Sequence, residues 1–193
     1  MAEPVPWLSD FANRASLSYE PEPDERWLRV WEPYVTLRTP IRYEHALSAT
    51  GTTSAITIAR FVLTPRAGYA VGDEAWIAIG QDDRLRGPAK VVAATSDAGP
   101  IFRDDAIPLP RRWTGDPEFD AVFATFAESD DAVRAMLGPS LRRLTLGWRT
   151  PVHFEVRAGG FVVAPVALKP DPTSLAWLLD AARVFANKAA KAS

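Results

Sequence analysis

The chain has 193 residues, 47% hydrophobic and 24% charged, with a formal net charge of −2 and no cysteine. That length and balance fit one globular core, and the charge gives no field that would draw nucleic acid or an anionic membrane surface. The missing cysteines exclude disulfides, thiolate zinc sites, iron–sulfur ligation and a cysteine nucleophile together.

The N-terminus has neither a basic leader nor an apolar stretch of signal-peptide length, and no apolar run approaches the roughly 20 residues of a membrane helix. A soluble cytoplasmic protein without membrane insertion is therefore expected. Arg far outnumbers Lys, and with abundant Ala and Pro this reads as the imprint of a GC-rich bacterial genome.

In chain order, Trp7, Leu8, Phe11, Ala12 and Ala15 recur at helical spacing. The opposite face is polar but not basic, so this short helix should dock on the protein's own core. An acidic, Pro-rich connector follows (Glu20-Pro21-Glu22-Pro23-Asp24-Glu25), then a brief helix around Trp27, Leu28 and Trp31 that Pro33 ends. Residues 1–33 thus read as a helical segment docked on a single domain spanning 34–193.

From about Tyr34 to Pro108 the period changes to two. Ile41, Tyr43, His45 and Leu47 alternate with polar neighbours, a turn falls at Gly51-Thr52-Thr53-Ser54, and Ile56–Leu63 returns. Glu74–Gly80 and Ala89–Thr95 are further strands. The turns between them leave no room for crossover helices, so an antiparallel meander is expected.

Asp116 caps a helix that Pro117 begins, with Phe119, Val122, Phe123 and Phe126 at helical spacing. Asp130–Leu137 and Pro139–Leu146 read as two linked helical pieces. Val152, Phe154 and Val156 then alternate with His153, Glu155 and Arg157, and Gly159-Gly160 turns the chain into Phe161–Leu168, the clearest hairpin in the sequence. A final helix starts at Asp171-Pro172, and Leu175, Leu178, Leu179, Ala182, Ala186 and Ala189 face the sheet. The fold class is α+β: an antiparallel sheet, meander plus C-terminal hairpin, with helices packed on it and the last helix closing the core.

The search for chemistry excludes more than it finds. Asp116, Glu118 and Asp120 resemble the start of a calcium loop, but the sixth position lacks glycine and Ala127 stands where a bidentate Glu is needed. Gly159-Gly160 joins two strands, so it presents no helix terminus to a phosphate. Arg111-Arg112 and Arg142-Arg143 read as solvated faces, and the acid pairs Asp82-Asp83, Asp104-Asp105 and Asp130-Asp131 as turns and helix starts. No cofactor, metal or nucleic-acid partner is implied.

Of the two histidines, His153 reads as solvated, because it shares the polar face of its strand. His45 shares parity with Tyr43 and reads as a hydrogen-bonded core or rim residue. Were the protein an enzyme, His45 near an acid from another strand would be the first place to look. An apolar pocket near Tyr43 and His45 would suit a small-molecule or lipid binder. On the last helix, Trp177, Ala181 and Val184 occupy the face opposite the core. Either another part of the chain covers them, for instance the N-terminal helix, or a second molecule does, by self-association or as a protein partner.

The run Gly115-Asp116-Pro117-Glu118-Phe119-Asp120, with Phe123, Phe126, Asp130, Arg134, Leu137 and Pro139 behind it, resembles an uncharacterised bacterial family, the domain of unknown function 3137 family. The likeness covers about 114–168, with 152–168 as the family's hairpin. Relatives carry membrane-spanning segments ahead of the domain, which this sequence does not contain. The resemblance implies no catalytic residue. The expected function is a non-catalytic protein-interaction or structural module, with small-molecule or lipid binding as the alternative.

Overall fold

The computed structural model describes residues 2–52, 54–87, 90–95, 102–103 and 106–191. Ala89, the first residue of an expected strand, the turn residue Thr53 and the pair Asp104-Asp105 lie outside them. The described residues build a nine-stranded antiparallel sheet with six helices. Strands β1 (Ser18–Glu20), β2 (Pro40–Thr50), β3 (Ser54–Leu63) and β4 (Glu74–Asp82) follow one another as a meander.

The meander then stops. Beside β4 lies the hairpin of β8 (Val152–Arg157) and β9 (Gly160–Pro165), which separates it from β5 (Val91–Thr95). Strand β7 (Phe123–Ala127) and the two-residue β6 (Arg111–Arg112) complete the far edge.

Two local expectations change. The acidic connector begins as an edge strand, with Tyr19 opposite Leu47. The helix begun at Pro117 ends at Val122, and Phe123 enters β7, where it pairs with Thr95. Pairing with β5 gives Phe123–Ala127 a ladder that helical spacing alone could not reveal. The caps are ordinary: Asp116, Ser129 and Asp171 each accept a hydrogen bond from the backbone N–H three residues on.

Each face of the sheet has its own core. One face carries Leu47, Ile58, Trp76, Phe154, Phe161 and Val163 beneath α1 (Pro6–Ala15), α4 (Asp130–Met136), α5 (Pro139–Gly147) and α6 (Pro172–Ala189). The other carries Tyr43, Phe61, Ile77, Ile79 and Val162, and is covered by Leu28 of α2 (Glu25–Arg29) and by a strap whose Trp31, Tyr34 and Leu37 point down. Residues 1–33 therefore contribute to the sheet and to both cores.

At Gly160 the strap comes very close. A Cβ there would stand 2.0 Å from the Trp31 ring and 2.3 Å from the Gly80 carbonyl oxygen. No helix of the described residues is long and apolar enough to cross a membrane.

Candidate functional site

On β8, Phe154 and Val156 point into the helix-side core, so His153, Glu155 and Arg157 point to the strap. That face is not solvated, and the reading of His153 as a surface residue is corrected: His153 and Glu155 are both fully buried. The alternation of β8 holds, but a second layer covers its polar side.

There Glu155 accepts the Val35 N–H at 2.6 Å and is paired with Arg157, whose guanidinium also donates to the Trp31 carbonyl at 2.8 Å. The Thr36 hydroxyl hydrogen-bonds the His153 ring, which lies 3.7 Å from Glu155. Arg103 donates to the Val35 carbonyl, and Lys90 reaches the Pro33 carbonyl at 3.5 Å.

Burial alone would raise the Glu155 carboxyl. His153, the Arg157 charge and the Val35 N–H outweigh it and hold the group below its ordinary range. Burial, helped by Arg157, lowers the Lys90 ammonium. Thr36, His153 and Glu155 mimic the order of a hydroxyl–imidazole–carboxylate relay, but all three are sealed from solvent. Their work is to fasten the strap.

Tyr43 and His45 lie in different surroundings. A β-bulge between Glu44 and Leu47 puts His45 in a left-handed conformation (φ 53°) and breaks the parity the sequence suggested. Tyr43 packs edge-on against Phe61 at 4.7 Å in the strap-side core, and its hydroxyl donates to Glu32. His45 instead stacks on Tyr19 and hydrogen-bonds its hydroxyl through Nδ1 at 2.9 Å. Burial, and secondarily the Arg60 charge, lowers the His45 imidazole below its usual range. The cleft beside Tyr43, about 400 Å³, is open, and Glu22, Glu25, Arg42 and Glu44 edge it together with Ala2 and Pro23.

The three residues expected to form an outer face on α6 are not one surface. Ala181 is 6% exposed, and Trp177 meets the ring of Trp148 edge-on at 6.0 Å. The residue after α5 supplies this cover. Only Val184 stands out, at 42% exposure. Arg142, expected on a solvated face, is half-buried and bound to Asp116 at 3.1 Å, while Arg143 is exposed.

Among the exposed apolar side chains that sequence reasoning missed, Val30 follows α2 and Trp113 follows β6, while Ile41, Tyr69 and Val71 belong to the start of β2 and the loop after β3. Ile41 is 50% exposed, and the β3–β4 loop presents Tyr69 at 61% and Val71 at 81%. Gly68 (φ 85°) turns this loop, the Arg66 guanidinium lies over the Tyr69 ring at 4.6 Å, and Arg38 and Arg66 both bind Asp73 at its base. Behind it is a cleft of about 270 Å³ bounded by Tyr34, Leu37 and Arg38 of the strap and by Thr64 and Pro65 of the loop. The only hint in the sequence was that Tyr69 and Val71 occur in a Gly/Pro-rich turn. Among the described residues, no group of three or more His, Cys, Asp or Glu side chains is placed to hold a metal ion.

These elements define an α+β domain whose antiparallel sheet is covered on both faces. No family model matches the chain, and no curated protein does. Among solved structures it is similar in fold to the mycobacterial trehalose monomycolate transport factor A, TtfA. The TM-score is 0.63 at 12% identity, covering 94% of this chain and 92% of that one.

Proposed function

We propose that this protein is a non-catalytic interaction module that docks a protein partner on the end of the sheet formed by the 64–73 loop and the start of β2. The observation that carries the reading is the exposure of Ile41, Tyr69 and Val71, with Tyr69 held by Arg66 on a loop whose first residues, Thr64 and Pro65, edge an open cleft. An exposed aromatic and two aliphatic side chains rimmed by arginine have the composition of an interface centre.

A photo-crosslinking residue in place of Tyr69, used in the native cell, tests it. The expected result is a discrete adduct that Val71→Asp removes while the fold persists. An adduct pattern identical to that from a crosslinker at exposed Asp180 would refute the proposal, as would no adduct at all.

A second reading, a small-molecule or lipid-binding module, draws on a different observation. TtfA, whose fold this chain shares, is named for the transport of trehalose monomycolate. The place for such a ligand would be not Tyr43 and His45 but the open trough at Val122.

A further inference from the structure

Two clefts meet beside α5. The first, about 330 Å³, runs along Val122, Phe123, Leu146 and Pro151. The second, about 460 Å³, passes Arg143, Leu146 and Gly147. Leu146 and Arg149 line both, so Arg149 stands where a cleft of mixed lining, apolar at Val122, Leu146 and Pro151, meets a more polar one.

Two properties of Arg149 need a reason. It is the second residue after α5 and takes a left-handed conformation (φ 52°), where helices ordinarily place glycine and where a side chain is strained. Its guanidinium, like that of Arg143, makes no ion pair or hydrogen bond among the described residues. Of the two acids nearby, Asp116 is committed to Arg142 and to the Phe119 N–H. Glu118 is the remaining carboxylate on the rim. Val122, at the mouth of the trough, is 44% exposed.

We infer that these two adjoining clefts bind a linear amphiphile with one anionic head group, its alkyl chain along Val122, Leu146 and Pro151 and its head between Arg149 and Arg143. Each feature then has a part. The trough removes methylene groups from water, and the two arginines supply forked donors that match a carboxylate. Arg149 tolerates a backbone conformation better suited to glycine because glycine would bring no charge to the junction. Each cleft's volume lies within the range of small-molecule sites, ~300–1,000 Å³. This inference gives the second reading its ligand class and is independent of protein docking at Tyr69.

The test is calorimetric titration of the full chain with dodecanoate below its micelle concentration, beside dodecanol and dodecyltrimethylammonium. Dodecanoate should bind one to one, and the other two at least ~tenfold more weakly. Arg149→Gly should weaken dodecanoate about ten- to hundredfold, the worth of a charge-assisted hydrogen bond, while leaving the melting temperature equal or higher. Arg143→Gln should weaken it in the same direction. Tyr69→Glu should leave the titration unchanged. Equal binding of the three probes overturns the inference, as does undetectable dodecanoate binding or an affinity that Arg149→Gly does not change.

Discussion

Replacing Glu155 by alanine should be among the most damaging single changes in this protein. Its carboxylate is fully buried, accepts the Val35 N–H at 2.6 Å and neutralises Arg157, whose side chain is 14% exposed. Removing it strands a guanidinium beneath the strap and leaves a buried N–H without an acceptor. Breaking a buried ion pair on one side costs about 3–5 kcal/mol. At roughly 2–4 °C per kcal/mol for a chain of this size, the melting temperature should fall by about 6–20 °C.

Urea unfolding followed by tryptophan emission suits the question, because the seven tryptophans report global unfolding and one of them, Trp31, lies under Arg157 at 5.4 Å. The pH dependence carries the sign. Glu155 titrates lower in the folded chain than in the unfolded one, so its contribution is fully present above the unfolded pKa, about 4.3, and is lost as the pH falls through the folded value. Wild-type and Glu155→Ala stabilities should therefore converge in strong acid. A neutral-pH loss below about 1 kcal/mol, the worth of an ordinary neutral hydrogen bond, would refute this account of the strap.

Two further outcomes follow from particular contacts. His45 titrates below its ordinary range in the fold, so stability should drop as the pH falls from about 6.5, where the unfolded chain begins to take up the proton. His45→Asn, which tolerates the left-handed bulge and does not titrate, should flatten that part of a pH–stability profile; an unchanged slope would assign it elsewhere. Gly160→Ala would put a methyl group 2.0 Å from the Trp31 ring, and should cost about 1–3 kcal/mol in urea unfolding; a neutral effect would mean that the strap sits more loosely than described.

Much of the architecture was legible in the sequence because it rests on local chemistry. Asp171 with Pro172, and Asp116 with Pro117, start helices by satisfying their first N–H groups, and these starts survive in the fold. The alternation at Val152–Arg157 and the two glycines after it identify a hairpin for the same reason. Composition decided what chemistry is absent from cysteine. Period alone, however, cannot say what lies on the far side of a strand. The polar side of β8 reads as solvent-facing until the strap, more than a hundred residues earlier in sequence, is seen lying on it.

The same limit explains His45, whose parity a bulge reverses, and Phe123, which leaves helical spacing for a strand because β5 offers it a partner. It explains Trp177, which Trp148 covers, and the meeting of Val122 with Arg149 across two elements. Caps, turns and periodicity are set by neighbours along the chain, so the sequence determines them by itself. Burial, register and the convergence of side chains depend on contacts between distant segments, and only the tertiary structure decides those.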